Sequence, residues 1–206
     1  MIYALPGMGA DNRMYPGPWR SLTNATFLDW PAYKGEDSIE AMGRRVAEEA
    51  RIPDGAVLIG ASLGGMVACE IARIRRVREL FLVGSAKNCL EINGVLNRLH
   101  PLIEHTPLEF FQSCAARLPR EVTQMFGGSE AAFIRAMCHA VFEWLGLDGS
   151  LAKPLRIHGR HDRVIPLPRD VNLVIEGGHL ISMTHAQQCV DFVLARLGEA
   201  GHDPRP

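Results

Sequence analysis

The stretch Val57-Leu58-Ile59-Gly60-Ala61-Ser62-Leu63-Gly64-Gly65-Met66 constrains this chain more than any other. Its apolar, β-branched start (Val57 to Ile59) reads as a buried strand, and Met66-Val67-Ala68-Cys69-Glu70-Ile71-Ala72 runs on with helical spacing. Between them stands Gly60-x-Ser62-x-Gly64. A serine pinched between strand and helix sits on a sharp, strained turn. Glycines two before and two after it remove the Cβ atoms that would collide as the chain folds back. Such a turn leaves the hydroxyl exposed at the carboxyl end of the strand, facing the N–H groups that open the helix.

Composition narrows the class. A chain of 206 residues with 47% apolar and 22% charged residues is expected to form a single domain with a sizeable core. A net charge of −1 gives no reason to expect nucleic acid or an anionic membrane as partner. Arg73, Arg75, Arg76 and Arg78 form the one basic cluster, at the end of the helix after Ser62, where water and the helix dipole favour cations. The five cysteines (Cys69, Cys89, Cys114, Cys138, Cys189) are odd in number, scattered and free of metal-site spacing. They read as buried thiols in a reducing compartment. Met1 to Pro6 enters a strand at once, with no basic n-region or long apolar segment, so neither a signal peptide nor a membrane span is expected. A cytoplasmic location is the expectation.

Strands and helices alternate along most of the chain. Ile2–Leu5 is a strand, followed by the glycine-rich Pro6-Gly7-Met8-Gly9-Ala10-Asp11, where Asp11 can cap a short helix that Pro16 and Pro18 interrupt. Residues 25–30 form a second strand. Asp37-Ser38-Ile39-Glu40 resembles a capping box ahead of a helix whose buried stripe is Ile39, Met42, Val46 and Ala50. After the Ser62 stretch, residues 79–85 make a fourth strand. Residues 87–149 break the alternation. Their helical spacing includes Ile134, Met137, Cys138, Val141, Phe142 and Leu145 on one face, and they read as a helical lid inserted between strands. Strands then return at 154–159 and 171–175. Thr184-His185-Ala186-Gln187 is expected to cap a last helix with core face Cys189, Val190, Val193, Leu194 and Leu197, and 198–206 is a frayed tail. Alternation of this kind means a parallel sheet covered on both faces, with ligands at the carboxyl ends of the strands. Ser62, Asp162 and His179 stand at those ends in chain order.

A serine hydroxyl needs a base to take its proton, and an imidazole does this well near neutral pH. The imidazole needs a carboxylate to fix its tautomer and stabilise the cation that forms. For the carboxylate, Glu143 and Asp148 compete with Asp162, while Ser85-Ala86-Lys87-Asn88 offers no acid after the preceding strand. For the base, His158 lies within a strand, His161 abuts the acid and His185 opens a helix. His179 alone sits in a glycine-flexed loop.

Four pieces, Leu5-Pro6-Gly7-Met8-Gly9, Gly60-Ala61-Ser62-Leu63-Gly64-Gly65, His158-Gly159-Arg160-His161-Asp162-Arg163-Val164-Ile165-Pro166 and Gly177-Gly178-His179, occur in an order that resembles the α/β-hydrolase superfamily. The resemblance covers nearly the whole chain, with Pro6-Gly7 where members often carry His-Gly. It implies a six-stranded parallel sheet with helices on both faces and a small helical lid, lacking the two leading strands of larger members. It also implies Ser62, Asp162 and His179 as catalytic residues and the backbone N–H groups of Met8 and Leu63 as the oxyanion hole. Neither metal nor cofactor is expected.

The expected activity is hydrolysis of a small carboxylic ester through an acyl-enzyme, with Phe110, Phe111, Phe126, Phe133, Met137 and Phe142 as candidate walls of an acyl pocket. The serine argues against the branches that use an aspartate at that position. Lyase and peroxidase-like members share the same three residues. A thioesterase would want a basic entrance, which is not evident. An aminopeptidase would want lid carboxylates such as Glu104, Glu109 and Glu143, and a signalling receptor would bind a small ligand with little turnover.

Overall fold

Six strands form one sheet in the order β2-β1-β3-β4-β5-β6, in a computed structural model that describes residues 1–92, 130–147 and 153–200. They are β1 (Ile2–Leu5), β2 (Ala25–Phe27), β3 (Val57–Ala61), β4 (Glu79–Val83), β5 (Leu155–Gly159) and β6 (Leu173–Ile175), and every neighbouring pair is parallel. All six carboxyl ends therefore lie along one edge. β2 is shorter than the 25–30 expected: only Ala25–Phe27 pairs with β1.

Period-2 alternation divides each central strand between two cores. Tyr3, Leu5, Leu58, Leu80 and Leu82 face the side covered by α1 (Ile39–Glu49), α2 (Leu63–Ile74) and α3 (Ala131–Glu143). Ile2, Ala4, Val57, Ile59, Phe81 and Val83 face the other side. There Met14, Tyr15 and Trp19, on two short 3-10 turns, pack with α4 (Ile181–Thr184) and α5 (Ala186–Ala200). α2 is buried from Leu63 to Ala72, because it lies between the sheet, α1 and α3.

Several details depart from the sequence expectation. The cap of α1 is Ser38, whose Oγ accepts from Ala41 N–H, so Glu40 is at the second helical position and forms no box with Asp37. Ala50 is only half-buried, and Gly43 and Ala47 take its place in the stripe. Leu145 lies past the end of α3 and is 86% exposed, and Leu194 on α5 is 49% exposed. The chain also turns through α4 before α5, rather than running straight into a helix capped by Thr184. Asp11 does cap its short helix, accepting from Arg13 N–H.

Of the expected lid, the structure describes 87–92 and 130–147, so Phe110, Phe111 and Phe126 lie outside the described residues. Two polar clusters tie this insert to the body, one to the sheet and one to α2. Arg156 on β5 donates to both carboxylate oxygens of Glu91 (2.9 and 2.6 Å), to Asp170 (2.7 Å) and to the Ser85 carbonyl. At the far end, Trp144 Nε1–H donates to Glu70 Oε1 at 2.7 Å. Burial raises the Glu70 pKa, and the Trp144 and Arg73 bonds only partly offset that.

Candidate active site

β3 ends at Ala61 and α2 begins at Leu63, so Ser62 alone makes the turn, with φ 51 and ψ −121. That is the left-handed side of the map, costly for a residue with a side chain and held only by its surroundings. A Cβ on Gly60 would lie 2.4 Å from the Gly64 carbonyl oxygen, and one on Gly64 would lie 2.3 Å from that of Pro6. The turn therefore closes only with glycine on both sides. The Ser62 carbonyl is held twice, by Gly65 N–H (3.0 Å) and by the Ser85 hydroxyl (2.7 Å).

Two loops on the same edge bring their side chains to Ser62. His179, four residues past β6, places Nε2 2.9 Å from Ser62 Oγ and Nδ1 2.8 Å from Asp162 Oδ2. Asp162 follows β5. Its side chain is fully buried, while that of His179 is 18% exposed. Burial alone would raise the Asp162 pKa, but the adjacent His158 ring, the bond from His179 and that from the Ile165 N–H overcome it and hold the carboxyl well below its usual range. As a carboxylate, Asp162 can only accept, so Nδ1 of His179 carries the proton. Nε2 then keeps its lone pair for the Ser62 hydroxyl.

Oδ1 of Asp162 accepts from the N–H groups of Val164 and Ile165, both at 2.9 Å. His158 Nε2 donates to the Ile165 carbonyl (2.8 Å) and lies 3.3 Å from Asp162 Oδ2. A buried histidine therefore faces the same oxygen as His179. In the sequence His158 reads as a strand residue; its place four residues before Asp162, across one glycine, is the signal that could have found it. The other rivals are elsewhere: His161 pairs with Glu176, His185 with Thr184, and Glu143 is exposed at the end of α3. Asp148, Glu104 and Glu109 lie outside the described residues.

On the opposite flank is the loop after β1. The Gly7 N–H donates to Met14 Sδ (3.1 Å), and the Gly7 carbonyl accepts from Ala10 N–H (3.1 Å) and Trp30 Nε1–H (2.9 Å). A Cβ on Gly7 would be 3.4 Å from Ser62 Cβ, which sets this loop directly against the serine. Met8 comes next. Leu63 is the first residue of α2, so its N–H has no partner within the helix. Of the candidate pocket residues described, Phe133 packs on Trp30 and Tyr33, Met137 is fully buried in the core beneath α3, and Phe142 is half-buried against it.

Among the described residues, no group of three or more His, Cys, Asp and Glu side chains could hold a metal ion. No helix of the described residues is long and apolar enough to cross a membrane. The described cysteines, Cys69, Cys89, Cys138 and Cys189, are free.

A model of the alpha/beta hydrolase family matches residues 2–204. No curated protein matches the chain in sequence. Solved structures match its fold at low identity. A hydrolase from Oleispira antarctica is 14% identical with a TM-score of 0.76, over 96% of this chain and 90% of that one. An esterase from Exiguobacterium antarcticum is 15% identical with a TM-score of 0.75, over 96% and 91%. An enol-lactonase from Burkholderia xenovorans is 16% identical with a TM-score of 0.69, over 96% and 90%.

Proposed function

We propose that this chain, which belongs to the alpha/beta hydrolase family, is a serine hydrolase that cleaves a small carboxylic ester through an acyl-enzyme. One observation carries the reading: the continuous hydrogen-bonded path from Ser62 Oγ through His179 to Asp162, at 2.9 and 2.8 Å, with the serine on a strained turn. Two of the similar structures are described as an esterase and an enol-lactonase, which agrees with an ester as the substrate class.

In this mechanism Ser62 Oγ attacks the acyl carbon as its proton passes to His179 Nε2. Asp162, already ionised, stabilises the imidazolium through Nδ1–H. The carbonyl oxygen becomes an oxyanion, and the main-chain N–H groups of Met8 and Leu63 receive it. Because both donors are backbone, the side chain at position 8 matters little to the charge. One such donor contributes about 3 kcal/mol to the transition state. His179 then returns the proton to the leaving alkoxide, and water repeats the sequence to free the acid.

The test is labelling by a fluorophosphonate together with turnover of nitrophenyl esters of graded acyl length. Labelling at one site, lost in Ser62→Ala, is the expected result. Labelling that survives Ser62→Ala overturns the nucleophile. Labelling without turnover of any ester removes the esterase and favours the receptor reading.

A further inference from the structure

The peptide joining Gly7 to Met8 is held by a side chain from beyond the end of β2, and the geometry points to a use for that grip. We propose that Trp30 is a positioning residue for the oxyanion loop: its indole N–H aims the Met8 N–H at Ser62, and the insert helix α3 holds Trp30 in place to do so. This deepens the serine-hydrolase reading and rests on it.

The argument begins with the peptide plane. The chain contains no cis peptide bonds among the described residues, and in a trans peptide the C=O of one residue and the N–H of the next point in opposite directions. Trp30 Nε1–H (2.9 Å) and Ala10 N–H (3.1 Å) both donate to the Gly7 oxygen. Fixing that oxygen fixes the opposite end of the same plane, which is the Met8 N–H. The preceding peptide is pinned too, by Gly7 N–H on Met14 Sδ. Glycine has the widest choice of backbone angles, so without these bonds the plane would be free to rotate. The Ala10 bond is a local turn of the loop itself. Trp30 reaches it from 23 residues away, past the end of β2, and so ties the loop to the body of the protein.

Trp30 is itself held from the insert. The Phe133 ring on α3 lies 5.4 Å from the indole, tilted by 44°, and reaches Tyr33 at 6.2 Å. The same helix touches the residue being aimed: Cys138 Sγ is 3.5 Å from Met8 Sδ. One helix therefore contacts both the clamp and the clamped residue. A tryptophan present only for packing would need some acceptor for its N–H. An acceptor in the plane that carries an oxyanion donor gives that bond a consequence for turnover.

The experiment is steady-state kinetics of Trp30→Phe on a short nitrophenyl ester, with rates referred to sites titrated by fluorophosphonate. Phenylalanine keeps an aromatic ring against Phe133 and removes the N–H donor, along with part of the indole's bulk, whose loss is read separately as thermal stability. The expected result is a fall in kcat of about tenfold, a fraction of the 10²–10³ lost when an entire oxyanion donor is removed, with KM within twofold. Affinity for an alkylboronic acid, whose tetrahedral adduct places an oxygen in the hole, should fall in parallel with kcat/KM. A kcat per titrated site equal to wild type overturns the proposal, as does a loss confined to KM or to thermal stability. If wild type is not labelled at Ser62, the hydrolase reading fails and this one with it; a labelled, active wild type with an unaffected Trp30→Phe sinks this one alone. Should Trp30→Phe not fold, the wild-type protein labelled with ¹⁵N-tryptophan answers the same question. The indole N–H resonance of Trp30, identified by its contacts to the Phe133 ring, should shift on phosphonylation of Ser62, while that of Trp144 on Glu70 stays put. A Trp30 resonance that stays put as well overturns the proposal.

Discussion

The loop after β5 and the loop after β1 both border Ser62, and they are built in opposite ways. The first holds its functional group with its own neighbours: Asp162 accepts from Val164 and Ile165 N–H and has the His158 ring 3.3 Å away, all within four residues, and only His179 comes from farther along. The second has one local bond, Ala10 N–H on the Gly7 carbonyl, and is otherwise held from farther away. Met14 takes the Gly7 N–H, Tyr15 donates its hydroxyl to the Leu5 carbonyl, Trp30 takes the Gly7 carbonyl, and Cys138 on the insert reaches Met8. The difference follows from what each loop presents. A buried carboxylate needs several donors close by or it will not stay ionised. A backbone N–H needs only that its peptide plane not turn, and any well-placed partner can ensure that.

Asp162→Asn is the harshest test of this contrast. The amide keeps the shape of the carboxylate and loses its charge, so His179 no longer has a reason to keep its proton on Nδ1. Turnover should fall about 10⁴-fold, against roughly tenfold for the distant clamp at Trp30. Esterase rates per titrated site measure both. A loss of only tenfold in Asp162→Asn would erase the contrast and return the choice of acid to the insert.

The same division explains what could be read from the sequence. Ser62, Asp162 and His179 were legible as a candidate site because local patterns mark them: a glycine-flanked turn, an acid three residues past a strand and its glycine, a histidine after paired glycines. The parallel sheet was legible because strand–helix alternation follows from the apolar runs, and its six strands were implied by the family resemblance; the order β2-β1-β3-β4-β5-β6 was not, since apolar runs do not encode which strands are neighbours. Trp30, Ser85 and His158 were not. Trp30 reaches Gly7 and Ser85 reaches Ser62 across 23 residues each, and no periodicity encodes such a pairing. His158 reads as one more strand residue until β5 is seen to point it at Asp162. Boundary shifts have smaller causes. Either Asp37 or Ser38 has the chemistry to cap α1, and the backbone chose Ser38. Leu194 keeps the helical spacing, but the stripe that α5 buries, centred on Cys189, Val190 and Val193, is narrower than the apolar face.

A second, smaller effect separates the two loops by pH. The folded state holds the Asp162 carboxyl below its ordinary value near 3.8. A depressed carboxyl pKa contributes stability that is fully present above the unfolded value and lost as pH falls below it. Wild type should therefore lose stability between about pH 5 and 2 more steeply than Asp162→Asn, which has no such proton to take up. Trp30→Phe should track wild type throughout that range, since its bond involves no titrating group. Urea unfolding at a series of acidic pH values checks this, and parallel curves for wild type and Asp162→Asn would count against an ionised, locally held carboxylate.

The mildest change expected lies beneath the serine, where a distant side chain meets a local bond on the same atom. Ser85 Oγ–H donates to the Ser62 carbonyl at 2.7 Å from a fully buried position. Gly65 N–H donates to that carbonyl as well, at 3.0 Å, as the first turn of α2 closes. Ser85→Ala therefore removes one of two donors and leaves no buried acceptor orphaned, so the loss should be that of an ordinary hydrogen bond, about 1 kcal/mol. The strained φ of Ser62 belongs to the turn and its glycines, which the substitution does not touch. Ser62 Oγ should keep its distance from His179, and kcat per titrated site should stay within about twofold, less than half a kcal/mol in the barrier. Denaturant unfolding and ester kinetics on the same preparation give both values. A large fall in kcat with little change in stability would mean that Ser62 is aimed from a distance, as proposed for the loop after β1.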